Sequence, residues 1–493
     1  MTLRVTNTLT GEREAFEPGD PDDVLLYVCG LTVSDEPHLG HARTWVHADV
    51  FHRWLSHLGY GVRHVENFTD VNEKIVARVG EDELGDSESE VAEHFTGEVI
   101  EAMRSLNLFR AAVYPRVSEH VPEIIDLVET LIGKGYAYES GGSVYFDVTE
   151  FPEYGKLSNQ DVGEIEAQGQ DAELEEKRHP QDFALWKAGP VDEESVREHS
   201  KVDHEEVPRG QTWDAPWSTG RPGWHVECSA MSTTHLGETL DVHVGGQDLV
   251  FPHHENEIAQ SEAATGQQFS RYWLHVRLLD VAGDGEKMSS SLENFTTVER
   301  AVGRWGADVV RMFLLSTTYT NRQTFSADAI AEAEERWERI ERAYERAVEA
   351  ADSTDAYAKV YDERLREAVA TTREGVHTAM NDDFNTREAL AALLDLASAV
   401  HRHVDESGRY DYRGLHDAIE TFNDLAGDAL GFSLGGVDST VELADDLIDL
   451  VLQLREDERA AGNYERADEL RDRLSAAGVE VEDTDDGPTY RIE

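Results

Sequence analysis

One apolar run, Val24-Leu25-Leu26-Tyr27-Val28, constrains the fold of this chain more than any other stretch. A strand without polar alternation must be covered on both faces, which is the habit of parallel sheets flanked by helices. From Thr44 to Leu58, apolar residues recur at 46, 50, 51, 54, 55 and 58, and Gly59 follows. That spacing is one face of a helix with a glycine stop. Arg63 to Phe68 then reads as a second strand. Strand, helix and strand in this order predict a right-handed βαβ unit and a parallel sheet. No GxGxxG follows the first strand, so the dinucleotide-binding fingerprint is absent.

The 493 residues suggest two to four domains. The pattern becomes irregular between about 115 and 225, with an acidic run at 164–176 and an acidic, His-containing stretch at 191–207 that looks like a surface loop, so this segment is expected to be an insertion. Trp273 to Val276 reads as a strand again, and a glycine-containing loop covers Gly283 to Ser291. The expected boundaries are an α/β Rossmann-type domain over 1–325, a helical bundle over 326–435, and a small C-terminal α/β piece over 436–493. The bundle is expected from the Ala, Glu, Arg and Leu periodicity after Ala327. The last piece is expected to hold helices across 440–477 and short strands at 479–481 and 490–492.

Acidic residues number 101 against 44 Lys+Arg, a formal net charge of -57 spread along the chain. Charge of that size opposes compaction unless it is screened. It reads as an adaptation to high salt, where the Debye length falls to about 3 Å at 1 M. No apolar run reaches membrane-span length, the N-terminus lacks a signal-peptide pattern, and two thiols give no disulfide framework. A soluble cytoplasmic protein with no membrane partner, acting as a monomer, is the expectation.

The only two cysteines both stand near histidines and carboxylates. Cys29 ends the first strand, with His38-Leu39-Gly40-His41 nine residues on; Cys228 closes Gly-Trp-His-Val-Glu-Cys, with His253-His254-Glu255-Asn256-Glu257 twenty-five residues on. Two free cysteines alone would read as small buried hydrophobes. His253 and Glu257 are four apart on an expected helix, hence on one face. With both cysteines they make a Cys₂HisGlu donor set suited to zinc. The histidines of HLGH lie between a strand and a helix start, where free amides and the helix dipole favour phosphate. Lys287, followed by Met288 and three serines, suits a leaving pyrophosphate. In isolation either string reads as an ordinary polar loop.

HxGH after the first strand and KMSxS late in the same domain together resemble the signatures of class I aminoacyl-tRNA synthetases. The stretches Tyr27-Val28-Cys29-Gly30-Leu31-Thr32-Val33, Asn67-Phe68-Thr69-Asp70, Arg221-Pro222-Gly223-Trp224-His225-Val226-Glu227-Cys228, Phe251-Pro252-His253 and Met380-Asn381-Asp382-Asp383-Phe384-Asn385-Thr386 resemble the cysteinyl-tRNA synthetases. The resemblance covers most of the chain. It implies one Zn2+ on Cys29, Cys228, His253 and Glu257, binding the substrate thiolate. It further implies that Trp224, Thr69 and Asp70 lie near the cysteine, and that Gly246 and Asp248 contact adenosine. His38, His41 and Lys287 would act on the phosphates, with Ser290 among the ATP contacts. ATP with Mg2+, L-cysteine and tRNA(Cys) are the implied substrates and partners. Two departures stand out: Ser290 replaces the second lysine of KMSKS, and Val244 stands where the family often has glycine.

A ligase joining cysteine to an amino sugar shares the early motifs but lacks a long helical region, whereas this chain continues well past Phe325. A zinc hydrolase or a zinc-binding module leaves HLGH and Lys287 unexplained. A chain ending near Phe325 is further expected to keep some adenylate formation, provided it folds, and to lose tRNA charging.

Overall fold

The computed structural model describes residues 2–81, 84–160, 171–202, 204, 206–282, 296–435, 448, 451–455, 459, 464–476, 479–484 and 487–492. Two compact units emerge, Met1–Phe432 and Ser433–Glu493.

The first unit is built on the expected βαβ: β1 (Val24–Val28), α1 (Leu39–His57) and β2 (Val62–Glu66), with β1 and β2 parallel. The helix begins five residues before the apolar periodicity does. His38 caps it by accepting from the amides of Gly40 (3.0 Å) and His41 (3.4 Å), so a polar first turn is helical for a reason that hydrophobic spacing does not carry. Val46, Val50, Phe51, Trp54 and Leu55 are buried, as the spacing requires.

The segment expected as an insertion forms its own antiparallel sheet. Its strands are β3 (Ala137–Ser140), β4 (Ser143–Phe146), β5 (Phe183–Ala188), β6 (Trp213–Asp214) and β7 (Thr219–Pro222), in spatial order β3-β4-β5-β7-β6. The stretch 191–207, expected as a loop, contains the helix Glu193–His199. Asp192 caps it at the Ser195 amide (2.8 Å), and the acidic first turn that looked loop-like instead suits the helix dipole. Within the other acidic run, Asp171–Glu176 is helical, and 161–170 lie outside the described residues.

After the insertion come α2 (Trp224–Leu236), β8 (Leu240–Gly246), α3 (Glu255–Thr265) and β9 (Ser270–Val276). The parallel sheet has the order β9-β8-β1-β2, so β1 sits at its centre, buried on both faces as its composition demands. The main core joins Tyr27, Val65 and Trp273 of this sheet to Val226, Cys228 and Met231 of α2, Ile258 of α3, and Phe146, Phe183 and Trp186 of the insertion.

Next come α4 (Ala307–Leu315) and four longer helices: α5 (Ala327–Ala351), α6 (Glu363–Asn381), α7 (Thr386–Glu406) and α8 (Tyr412–Phe422). The α6–α7 turn carries Asp383, which accepts from the Thr6 amide, the Thr6 hydroxyl and the Tyr319 hydroxyl, each at 2.7 Å. Trp54 of α1 donates to Asn381 at 3.2 Å. Among its described residues, the second unit holds the helix Tyr464–Ala476 and the hairpin Val479–Thr484 with Gly487–Ile492. Ile448, Leu452, Leu474 and Val479 form its small core. Among the described residues, no helix is long and apolar enough to cross a membrane.

Candidate metal and nucleotide site

In open parallel sheets, ligands gather at the carboxyl ends of the strands. Cys29 follows β1 and continues its ladder, donating its amide to the Val244 carbonyl at 2.9 Å. Gly30 comes next, where a Cβ would sit 1.6 Å from the Asn67 carbonyl oxygen, so only glycine fits. Cys228 is buried in the first half of α2, His253 stands in the turn before α3, and Glu257 lies in the first turn of α3.

These four side chains converge. Cys29 Sγ is 3.8 Å from Cys228 Sγ and 3.5 Å from His253 Nε2, which is 3.1 Å from Glu257 Oε1. All four donor atoms lie within 4.8 Å of one another. A tetrahedral zinc with bonds of about 2.3 Å to sulfur and 2.0–2.1 Å to nitrogen separates two sulfurs by about 3.8 Å, and sulfur from nitrogen by about 3.6 Å. The donor set therefore fits that ion in chemistry and in spacing.

The surroundings fix each donor. His243 of β8 donates from Nε2 to Glu257 Oε2 at 3.0 Å, while its ring stacks on Trp273 at 4.3 Å. His225 Nδ1 is 3.0 Å from His253 Nδ1. Burial first, then the neighbouring His253, hold His225 far below the usual imidazole range. With a proton on Nδ1 shared with His225, the Nε2 of His253 would be the atom that faces Cys29 and Glu257 and could take a metal. Such partners orient metal ligands. Burial opposes charge on both Glu257 and His253. His243 and His253 nevertheless hold the carboxyl down at about 2, and Cys228 with Glu257 raises the imidazole to about 10. The hydrogen bond shared with Cys29 and then burial push the Cys228 thiol well up. A second grouping of His243, His254 and Glu257 shares Glu257 with the first. Glu255 points away from the cluster, accepting from the amides of Gly155, Leu157 and Ser158.

The other expected residues distribute as follows. Trp224 opens α2, is 41% exposed, and places its ring 4.4 Å from that of His253. Thr69 is buried and accepts from Asn67 Nδ2 at 3.4 Å, whereas Asp70 is engaged by the amide and hydroxyl of Ser118. Gly246 ends β8 and Asp248 lies exposed in the following turn. His38 and His41 stack at 3.7 Å on the N-terminus of α1. Burial and then His38 keep His41 neutral. The Leu39 amide donates to the Thr296 carbonyl (3.0 Å), and the Val298 amide to the Pro37 carbonyl (2.8 Å). Lys287 and Ser290 lie outside the described residues.

Sequence reasoning gave no role to Asn67, His225, His243 or Glu227. Asn67, His225 and Glu227 stand inside the quoted motifs, beside residues that were singled out. His243 has no local signal, because its partner is fixed by packing between β8 and α3.

Comparison with known proteins agrees across the chain. The family model described as tRNA synthetases class I (C) catalytic domain matches residues 15–335, the DALR domain 375–435, and the Cysteinyl-tRNA ligase anticodon binding domain 444–491. A cysteine--tRNA ligase of Haloarcula marismortui is 66% identical, covering 100% of both chains. That of Halobacterium salinarum is 64% identical with the same coverage, and that of Thermococcus onnurineus 40%, covering 100% of this chain and 99% of its own. Among solved structures, a methionyl-tRNA synthetase of Mycobacterium tuberculosis with methionyl-adenylate aligns at TM-score 0.57 and 15% identity, over 83% of this chain and 89% of that one. A LeuRS–tRNA–LeuAMS complex of Agrobacterium radiobacter aligns at 0.59 and 12%, over 84% and 85%. These two likenesses carry the fold alone.

Proposed function

The chain belongs to the cysteine--tRNA ligase family of class I aminoacyl-tRNA synthetases, and from that premise we propose how its own residues divide the reaction. In the first step a cysteine carboxylate oxygen attacks the α-phosphorus of ATP, and pyrophosphate leaves. In the second, a 3′-terminal ribose hydroxyl of tRNA attacks the acyl carbon, the bond to AMP breaks, and the hydroxyl proton is lost.

Cys29, Cys228, His253 and Glu257 would hold one zinc ion, and the observation that carries this is their convergence at tetrahedral spacings. When bound, zinc supplies a thiophilic Lewis acid that separates a thiolate from the hydroxyl of serine, a discrimination that shape alone makes poorly. Trp224 walls the amino-acid pocket beside His253. Thr69 borders it through Asn67, and Asp70 acts by holding the Ser118 turn in place. Gly246 and Asp248 would meet the adenosine. His38 and the neutral His41, on the positive end of α1, would meet the phosphates of ATP, which would bring Mg2+. Lys287 would stabilise the departing pyrophosphate with help from Ser290. The work is positioning and charge stabilisation, without a protein nucleophile. The nucleic-acid partner would be tRNA(Cys), recognised by residues beyond about 327.

Cysteine-dependent ATP–pyrophosphate exchange tests the reading, followed by charging of tRNA. Lys287→Ala should slow exchange sharply with little change in the KM for cysteine, since charge that grows in the transition state governs kcat. Exchange at the parent rate in that variant would remove Lys287 from the chemistry.

A further inference from the structure

The helix Glu88–Ser105 begins with an acid that does not serve it. Ser87 caps this helix by accepting from the Glu90 amide at 3.3 Å. An acid in a first turn is ordinarily left in water, where it still meets the helix dipole. Glu88 is instead only 4% exposed. One of its carboxyl oxygens accepts from the Asn72 amide at 3.0 Å, and the other from the Gln211 amide at 2.6 Å. Burying a carboxyl is costly unless hydrogen bonds of this kind offset the lost water.

The two amides come from different parts of the molecule. Asn72 ends the turn that starts at Thr69, and under the proposed function Thr69 and Asp70 lie beside the cysteine. The near end of that turn is tied to the chain just after Cys29. The Thr69 amide donates to the Leu31 carbonyl, and the Thr69 carbonyl accepts from the Val33 amide, both at 3.1 Å. At the far end Asn72 caps the short helix Glu73–Val76 by accepting from the Lys74 amide at 3.0 Å. Gln211 lies on the insertion's return path, shortly before β6. Its neighbour Gly210 has φ +70°, and a Cβ there would sit 2.7 Å from a Val76 methyl and 3.1 Å from Glu88 Oε2. The return path can cross Glu88 this closely only without a side chain. Val76 and Ala77 pack against Val191, Val196 and Val207 of the insertion, which closes the seam.

We propose that Glu88 is a positioning residue for cysteine binding, tying the Thr69–Asn72 turn to the returning edge of the insertion so that the shape of the amino-acid pocket and the seating of the insertion are one equilibrium. The inference rests on the functional reading above. Such coupling is reciprocal: if the seated insertion favours cysteine, cysteine must favour the seated insertion. The phosphates of ATP are met at the N-terminus of α1, which this link does not touch.

The test uses the full-length enzyme in molar KCl. Glu88→Ala leaves two buried amides without their acceptor, and should raise the KM for cysteine in ATP–pyrophosphate exchange by on the order of tenfold. The KM for ATP and kcat should stay near their parent values. Glu88→Gln keeps one acceptor and should recover part of the loss. Amide hydrogen exchange over 206–212 supplies a readout that a general loss of stability does not mimic. Cysteine should slow it in the unaltered enzyme and leave it unchanged in Glu88→Ala. Gly210→Ala reaches the seam from the insertion's side and should raise the KM for cysteine in the same way, so it decides the matter if the Glu88 variants fold poorly. A parent-like KM for cysteine in the folded variants would overturn the proposal. So would an equal rise in the KM for ATP, or a cysteine-dependent slowing that survives in Glu88→Ala. Absence of cysteine-dependent ATP–pyrophosphate exchange in the unaltered enzyme would instead strike the functional reading itself.

Discussion

Asn67 is fully buried and ties the site together. Its Oδ1 accepts from the Tyr27 hydroxyl and the Gly30 amide, both at 2.9 Å, and lies 3.8 Å from Cys228 Sγ, while its Nδ2 donates to Thr69. At this scale the sequence was legible wherever rarity helped. Two cysteines in a long chain, each in a distinctive motif, can be paired by their neighbours without a structure. The histidines behind the ligands could not be, because a histidine in a strand looks the same whether it braces Glu257 or fills space. On the proposed ligand set, metal analysis of Cys228→Ser should find stoichiometric loss of zinc; full retention would remove Cys228 from the set. Proton release gives a second check. Without metal, Cys29, Cys228 and His253 all hold their protons more tightly than usual, His253 up to about 10. Ligation requires that protons leave, so zinc affinity should weaken as pH falls. Titrating zinc into metal-free protein in weak buffer at about pH 7 should release about two protons or more. Fewer than one would contradict the ligand set.

Among the elements, α1 does more than its apolar face suggests. It presents His38 and His41 at one end and, further along, anchors Asp49 beneath the surface. Asp49 receives Arg53 at 2.8 Å and the fully buried Arg311 of α4. Arg311 also donates to the carbonyls of Leu106 (2.8 Å) and Leu430 (2.9 Å). Burial opposes the Asp49 charge, but Arg311 and Arg53 prevail and hold its carboxyl below the usual range. A depressed folded value means that this stabilisation is present above about pH 4 and lost as pH falls below it. Asp49→Ala leaves two buried guanidinium groups without their anion. It should cost about 3–5 kcal/mol, read as a drop in the denaturation midpoint at neutral pH; a loss under about 1 kcal/mol would show that water reaches these groups. Apolar spacing revealed where the long helices run. It did not reveal Arg311, since a lone arginine in Val-Val-Arg-Met-Phe-Leu-Leu reads as an interruption rather than as a hub.

For the whole molecule, charge and connectivity decide behaviour. With a net charge of -57, unfolding temperature and charging should both rise from dilute buffer towards about 1 M KCl as self-repulsion is screened. Both peaking in dilute buffer would end the high-salt reading. Connectivity moves the place where the chain can be cut. The condition that a piece ending near Phe325 must fold is a demanding one, because Trp54, Tyr319 and Arg311 take partners from Asn381, Asp383 and Leu430. A chain ending at Phe432, where the first compact unit closes, should keep exchange and lose charging; full charging would show that the last residues are not needed for tRNA.

The reach of Arg311 has a consequence for synthesis. A polypeptide leaves the ribosome from its N-terminus, and domains generally fold as units as they emerge. Here Asp49, Leu106 and Arg311 are all made long before Leu430, so the nascent chain carries a buried cation short of one carbonyl until almost the whole first unit is out. The catalytic half thus waits for the bundle's last turn, and a ribosome that stalls inside α7 would hold a chain whose interior is unfinished at a point far upstream of the stall.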